Sequence, residues 1–387
     1  MNNDNNIDQQ KLIDEFMLVT EGNLETARKY LIKHSWKVVD AINDYFEWMH
    51  DDYCRQEKEK QQQDGKNVED NDNDDHDDDD DNNDPVNKKA KIQHDKNDNQ
   101  LRLFRHITYN IDSLNEKNLS IRIKAICKII LDEKATIVFL QEVRNESEQI
   151  IRQNLSENFE IFSGFVSNST DYYTMTLVAR RQWITIDNGR EIINFKDTRM
   201  GRNIIRTDIT IENAKLCLLN THLESTKEFA AIRQQQLAYL LRLIESIDRQ
   251  STIIAAGDFN LRDKELAEIG DLPSNVQDAW IATGRRREVE YTWDMMRNDN
   301  LEFNGGEELG RQSSSSSGGR QRQPFKPRMR FDRVFVRCSE PSKQIDLVHF
   351  GLIGLQRLKP HVCFPSDHWG IITSYQIYQN SSSLSSS

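Results

Sequence analysis

The sequence predicts a layered α/β domain preceded by a small three-helix bundle. Three observations carry this reading. From about residue 101 onward, apolar runs of strand length alternate with helical patterns. A separate apolar island with helical spacing occupies residues 7–50. Between the two, residues 51–100 are too polar and too acidic to bury a core.

The island opens with Ile13, Phe16, Met17 and Val19. Leu24, Ala27, Tyr30, Leu31 and Ile32 recur at helical spacing, as do Val38, Ala41, Ile42, Tyr45 and Phe46. Glu21-Gly22-Asn23 and His34-Ser35-Trp36 mark the breaks between helices. Three short helices in about 45 residues lie near the lower size limit for folding alone. Next comes Asp70-Asn71-Asp72-Asn73-Asp74-Asp75-His76, then Asp77 to Asp81, a self-repelling run that predicts a disordered linker over 51–100. Lys88-Lys89-Ala90-Lys91 reads equally as a nuclear-import signal and as solvated charge.

The large domain, residues 101–378, shows strand-like runs at 103–109, 136–140, 174–179, 203–211, 215–220, 252–256, 332–336 and 370–375. Helical patterns fall at 119–132 (Leu119, Ile123, Ile126, Ile130), 145–155 and 226–248. Ser313 to Ser317 and Gly318-Gly319 predict a flexible loop over 311–323. The Ser-rich residues 379–387 predict a disordered tail.

Charge must be read by region. The chain has 387 residues and a formal net charge of −12, which taken whole argues against a nucleic-acid partner. The first hundred residues carry −14, however, and the remainder +2. The large domain is therefore close to neutral. No run of about 18 apolar residues exists, so no transmembrane helix is expected. The polar stretch Met1 to Gln10 does not read as a secretory signal. Five cysteines without CxxC spacing indicate neither a disulfide framework nor a zinc site, and fit a reducing compartment.

Polar residues cluster at the ends of the apolar runs. These are Thr108-Tyr109-Asn110, Leu140-Gln141-Glu142, Asn220-Thr221-His222-Leu223-Glu224, Gly257-Asp258-Phe259-Asn260 and Ser366-Asp367-His368. Each alone reads as a solvated strand end, a turn or a helix cap. Five together place two acids, two asparagines and two histidines at successive strand ends, where α/β proteins hold ligands. That set suits metal-assisted phosphoester hydrolysis. Hard Mg²⁺ takes one or two carboxylates and keeps its waters. Glu142 suits that ligand role, with Asn110 as a neutral oxygen or an orienting partner. Asp258 can accept a proton from an attacking water, and Asn260 can hold that water or the phosphate. His222 and His368 can donate hydrogen bonds as charge builds on the phosphate. Asp367 belongs with the site, but adjacent side chains diverge, so a carboxylate elsewhere is expected to orient His368.

In this order the motifs resemble the endonuclease/exonuclease/phosphatase superfamily over residues 103–377. The resemblance implies a four-layer α/β sandwich and a metal-dependent phosphodiesterase or phosphatase. Longer segments resemble its tyrosyl-DNA phosphodiesterase group. They are Thr108-Tyr109-Asn110-Ile111-Asp112, Gly201-Arg202-Asn203, Thr221 to Thr226, Gly257 to Asp263, Tyr291-Thr292-Trp293-Asp294, Arg330-Phe331-Asp332-Arg333 and Phe364 to Gly370. This closer resemblance implies that Glu142, with Asn110 and Asp258, holds Mg²⁺, with Mn²⁺ as an alternative ion. It implies that Arg262, Ser225 and Trp293 bind the substrate strand. It implies release of tyrosine from a DNA 5′-phosphate, the adduct coming from topoisomerase II. Tyr109 stands where that group has Trp, and Phe259 where it has Thr. The group also carries a ubiquitin-associated-like domain, which fits the helices read over 7–50, although Val19-Thr20-Glu21-Gly22-Asn23 is not a Met-Gly-Phe loop.

Trp293 and Tyr173 are candidates for stacking on single-stranded bases, and either equally fits core packing. Arg285-Arg286-Arg287 and Arg320, Arg322, Lys326, Arg328 and Arg330 are candidates for the DNA backbone. The expected setting is a nuclear monomer with a cytoplasmic pool allowed, no membrane partner, and ubiquitin as a candidate partner. Two alternatives stand beside this reading. One is another phosphodiesterase or phosphatase of the same superfamily. The other is a ubiquitin-linked adaptor with an idle site.

Overall fold

The computed structural model describes residues 102–166, 172–300 and 327–378, with part of the segment 9–45. The chain divides into two units, one within residues 1–100 and one spanning Leu101–Gln379. The expected linker 51–100, insertion 311–323 and tail 379–387 lie outside the described residues, as do Arg320, Arg322 and Lys326. No described helix is long and apolar enough to cross a membrane.

In the first unit, α1 spans Leu24–Lys33. Asn23 caps it by accepting a hydrogen bond from the Thr26 N–H at 2.9 Å, and Glu25 and Lys33 suit the helix dipole at either end. The expected break at His34-Ser35-Trp36 is real: Ser35 and Trp36 have φ of 52° and 62°. Ala27, Tyr30 and Leu31 are buried with Ile13, Phe16 and Ala41. The rings of Phe16, Tyr30 and Tyr45 lie 5.5–6.0 Å apart.

The second unit is a four-layer α/β sandwich, as the resemblance implies. One six-stranded sheet contains β1 (Arg102–Asn110), β2 (Ile137–Val143), β3 (Phe159–Ser163), β4 (Tyr173–Ala179), β13 (Ile345–Ile353) and β14 (Gly370–Ile377). Its order is β13-β14-β1-β2-β4-β3. The other contains β5 (Ile184–Asn194), β6 (Asn203–Ile211), β7 (Ala214–His222), β8 (Thr252–Asp258), β9 (Gln277–Asp278) and β12 (Asp332–Arg337). Its order is β5-β6-β7-β8-β12-β9. Helices α2 (Leu119–Asp132) and α3 (Asn145–Leu155) cover the first sheet, and α4 (Ala230–Ser246) covers the second. Short elements α5 (Asp263–Glu268), α6 (Ala279–Ala282), β10 (Trp293–Asp294) and β11 (Arg328–Met329) complete it.

Side-chain alternation builds the layers. Ile107 and Tyr109 pack under α2, while Phe104 faces the opposite sheet. Ile254, Ala256, Val334 and Val336 face inward, while Ile253, Ala255 and Phe335 pack under α4. Each such fully buried aliphatic or aromatic side chain contributes roughly 1.5–3 kcal/mol relative to exposure.

Some elements were not visible as apolar runs. β5 is largely exposed along IDNGRE, as an edge strand allows. The helical pattern at 226–248 begins only at Ala230, because Thr226 adopts φ 63° and the loop before the helix is used elsewhere. Arg330 is not a free DNA-backbone cation. It is 8% exposed and is paired with Asp278 at 2.7 Å and Asp263 at 3.1 Å. Arg286 likewise points inward, to the Phe350 carbonyl.

Two predictions follow from buried groups. His106 and His349 are buried, and burial holds both down to about 3. Unfolding restores their ordinary 6.5, so the unfolded chain binds more protons between those values. Above pH 6.5 neither affects stability. As the pH falls from there to about 5, each removes about 2 kcal/mol. Denaturant unfolding of His106→Gln at the two pH values should show a drop smaller by that amount. Gly257 has φ 148°, and a Cβ there would lie 1.7 Å from the Thr221 carbonyl oxygen in β7. Gly257→Ala should cost at least about 3 kcal/mol, read as lost soluble yield and a lowered Tm.

Candidate active site

The site continues the inward faces of the strands past the apolar core. Leu216, Leu218, Asn220 and His222 share one face of β7, and Ile254, Ala256 and Asp258 share one face of β8. Asp332, Val334 and Val336 do the same on β12. The register puts His222 opposite Asp258, and Asp258 opposite Asp332. The facing strand β1 brings Phe104, His106, Thr108 and Asn110 to the same layer. One rung below the site, Gln141 donates across the sheets to Asn220 at 3.0 Å.

Asp258 is the hub. Its Oδ2 accepts from the Asn110 side-chain amide at 3.0 Å and lies 3.4 Å from His222 Nε2 and 3.8 Å from His368 Nε2. Its Oδ1 accepts from the Asn260 N–H at 2.9 Å. Burial opposes the charge, but His368, His222 and Asn110 together hold the carboxylate well below its ordinary range. Asn260 adopts φ 49°, which asparagine tolerates, and places its amide 3.1 Å from His222 Nε2.

The two histidines differ. His368 Nδ1 lies 2.8 Å from Asp332 Oδ2. Against the cost of burial, Asp332, Asp367 and Asp258 raise it well above 6.5, so it is an imidazolium. His222 Nδ1 lies 2.8 Å from an Arg202 guanidinium nitrogen. Burial and then that cation push His222 down to about 4, so it is neutral. Asp332 is the carboxylate expected to orient His368. The motif Arg330-Phe331-Asp332-Arg333 contained it, but its position at the start of a strand gave it no role.

Glu142 depends on an irregularity. Plain alternation would send it outward with Val138 and Leu140. A register shift between Leu140 and Val143, with φ 57° at Glu142, breaks that alternation. Ser113 donates to the Glu142 carbonyl. Burial, then Asp367, push the Glu142 carboxyl up to about 7, and the same causes push Asp112 up to about 8. Asp367 therefore sits on the acidic flank of the site and lines a cavity of about 530 Å³ with Asp112, Asn115 and Arg122. Arg122 is 1% exposed and donates to the carbonyls of Lys117, Ile111, Asp112, Asn115 and Pro365, tying the loop after β1 to the loop of His368. Ser366 completes that tie by donating to the Asn110 carbonyl at 2.6 Å.

A divalent cation fits this donor set. Ligand atoms of Glu142, His222 and Asp258 lie within 4.8 Å of one another. His222 meets a donor at each ring nitrogen, Arg202 at Nδ1 and the Asn260 side-chain amide at Nε2. It therefore has no lone pair left for an ion, and the trio reduces to two carboxylates, a hard-ion set. The second trio, Asp258, Asp332 and His368, is already paired within itself.

The other expected residues divide. Trp293 and Phe331 pack 5.7 Å apart, and Arg262 lies over Phe331 at 5.5 Å. All three are partly exposed and form a wall beside His368, to which Trp293 is bridged through the backbone. Ser225 accepts from Arg202 at 3.0 Å. Tyr173 is a correction. It packs in the core with Met175 and Leu177, and its hydroxyl bonds Glu148. Its neighbour Tyr172 takes the inward direction, under Arg202 at 4.8 Å and 6.1 Å from the His222 ring. Arg233, fully buried, ties two site loops together through Glu265, the Glu224 carbonyl and the Thr226 carbonyl.

The endonuclease/exonuclease/phosphatase family model matches residues 107–368, and a UBA-like domain model matches residues 10–48. Tyrosyl-DNA phosphodiesterase 2 of Homo sapiens is 30% identical over 94% of this chain and 91% of its own. The Danio rerio protein is 29% identical over 94% and 97%. A crystal structure of Danio rerio TDP2 complexed with a single-strand DNA product has a TM-score of 0.62 at 30% identity, covering 70% of this chain and 98% of that one. Caenorhabditis elegans TDP2 has a TM-score of 0.59 at 25% identity, covering 95% and 93%. The chain belongs to the endonuclease/exonuclease/phosphatase family, in the branch of the tyrosyl-DNA phosphodiesterase 2 proteins, with a UBA-like domain at its N-terminal end.

Proposed function

We propose that this protein is a Mg²⁺-dependent 5′-tyrosyl-DNA phosphodiesterase that frees DNA 5′-phosphate ends from the tyrosine of trapped topoisomerase II. The observation that carries this reading is the Asp258 hub, with a neutral His222 and a charged His368 on its two sides and the Glu142 carboxylate beside it. Glu142 and Asp258, with Asn110 alongside, would hold Mg²⁺. When bound, that ion supplies charge neutralisation at the phosphate.

The chain's own groups account for the rest. Asp258 stays ionised and is placed to orient the attacking water and take its proton. Asn260 holds that water or a phosphate oxygen. The N–H groups of His222 and His368 donate to non-bridging oxygens as charge builds. A tyrosyl phenolate, of pKa about 10, leaves more easily than a sugar alkoxide, so stabilisation of charge suffices without a strong acid. The wall of Arg262, Phe331 and Trp293 suits the first nucleotides of a single strand, since stacking accepts any base.

Further assignments belong to the same proposal. Residues 7–50 form a ubiquitin-binding module, 51–100 a spacer, 101–378 the catalytic domain and 379–387 a tail. The protein acts as a monomer in the nucleus, with a cytoplasmic pool. The UBA-like match over residues 10–48 supports the first of these readings, and the family match over residues 107–368 supports the catalytic one.

One assay decides between this activity and its alternatives. The protein is incubated with Mg²⁺ and DNA bearing 5′-phosphotyrosyl, 3′-phosphotyrosyl or abasic ends. Preferred release from the 5′-phosphotyrosyl end is expected, abolished by EDTA and restored by Mg²⁺. Glu142→Gln and Asp258→Asn should each lower kcat by about 10³ or more with the fold retained. Preferred abasic cleavage would overturn the proposal. No turnover together with ubiquitin retention would favour an adaptor. Separately, Asp332→Asn should lower kcat by about 10² or more with little change in KM, because it misorients His368 without emptying the site.

A further inference from the structure

Four charged side chains that neighbour the wall of Arg262, Phe331 and Trp293 in sequence form a closed ring. Arg330 reaches Asp278 at 2.7 Å and Asp263 at 3.1 Å. Arg333 reaches the same two carboxylates at 3.4 Å and 2.7 Å. Each arginine thus straddles both acids, and each acid is shared by both arginines. Arg333 also donates through Nε to the Arg330 carbonyl at 3.0 Å, and Arg330 lies 4.5 Å over the Trp280 ring. Arg330, Arg333 and Asp278 are buried, whereas Asp263 is exposed.

The ring joins the two halves of the wall. Asp263 follows Arg262 and opens α5, and Arg330 precedes Phe331 just ahead of β12. The backbone at Phe331 is held without the ring: the Phe331 carbonyl accepts the Phe259 N–H at 3.0 Å, and the Asp332 N–H donates to the Thr292 hydroxyl at 3.1 Å. Helix α5 is tied on one side by Glu265 to Arg233. On the other side, toward β12, its tie is the Asp263 carboxylate. That tie seats the Arg262 guanidinium 5.5 Å over the Phe331 ring. An exposed carboxylate beside a phosphate backbone works against binding, so Asp263 can help a strand only through what it positions.

We propose that Asp263 is a positioning residue for the substrate strand: held by Arg330 and Arg333, it keeps Arg262 over Phe331 at the spacing on which the first bases stack. Without Asp263, two guanidiniums would share the single carboxylate of Asp278. Arg330, the more exposed of the two, would then be driven outward, and α5 would lose its tie to β12. The inference rests on the reading of this wall as a strand-binding surface, and not on which bond the site cleaves.

The test compares two probes on the full chain, thymidine 5′-phosphate and a 5′-phosphorylated thymidine pentanucleotide, with binding read by calorimetry. In the wild type the pentanucleotide should bind more tightly, since its further bases stack on the wall. Asp263→Ala should weaken the pentanucleotide by about fivefold or more and cut its advantage over the mononucleotide. Charge alone predicts the opposite sign, because removing an exposed carboxylate favours a polyanion. The loss should persist at high salt, where charge is screened. Asp263→Glu should recover part of it. Arg330→Met should cost less than Asp263→Ala, since Arg333 still holds Asp263, and should add nothing once Asp263 is alanine. On a 5′-tyrosyl strand the loss should fall on KM more than on kcat. The proposal is overturned if the pentanucleotide gains nothing over the mononucleotide in the wild type, if its affinity is unchanged or raised in Asp263→Ala, or if both probes weaken equally. A wild type that binds the pentanucleotide as expected but cleaves no tyrosyl-DNA would overturn the function proposed above and leave this assignment standing.

Discussion

One hydrogen bond organises the catalytic end of the molecule: Asn110 on one sheet donates to Asp258 on the other. Below, the sheets are held together mostly by apolar contact, which has no preferred direction, with the Gln141–Asn220 bond one rung down. These directional bonds at this end mean that the strands cannot slide without breaking them. Because Asp258 pairs in register with His222 on one side and Asp332 on the other, fixing it fixes both. His368 then follows from Asp332, and Asn260 from the backbone turn at Asp258.

Charge follows the same geometry. Asp258 stands between two imidazoles and stays ionised at little cost. Glu142, Asp112 and Asp367 lie on the other flank, where burial and then the Asp367 charge raise the proton affinity of Glu142 and Asp112. The site is therefore split into a flank where negative charge is already balanced and a flank where it is not. The cation of the proposed function would relieve the second flank through Glu142, and Arg202 and His368 bring positive charge to the first.

How much of this could be read in the sequence depends on what fixes each residue. Asn110, Glu142, His222, Asp258 and His368 stand beside apolar runs, and the runs were legible, so these residues were too. Asp332 opens its strand instead of closing one, and the eye does not stop there. Arg202 stands in the motif Gly201-Arg202-Asn203 without a role, because its loop is shaped by Glu224 through contacts over 24 to 26 residues that no local pattern shows. Tyr173 was chosen over Tyr172 because both are aromatic and adjacent. Alternation would have decided it: Met175 and Leu177 lie on the face that carries Tyr173, under the helices. Helix α4 is shorter than the pattern at 226–248 predicts because Thr226 to Phe229, although Lys227 and Glu228 are good helix formers, belong to the site loop.

The inward alternation of β7, β8 and β12 carries a consequence for how such a chain can change length. A single inserted residue within any of these strands would turn its terminal site residue to the opposite face, whereas a pair would restore the face and lengthen the strand. Growth in these strands is therefore quantised in twos, and even then it moves the donor away from Asp258. Length is free to vary only where no site residue hangs on the count. The stretch between Trp293 and Arg328 is such a place, since its two ends are paired as neighbouring strands β10 and β11 whatever lies between.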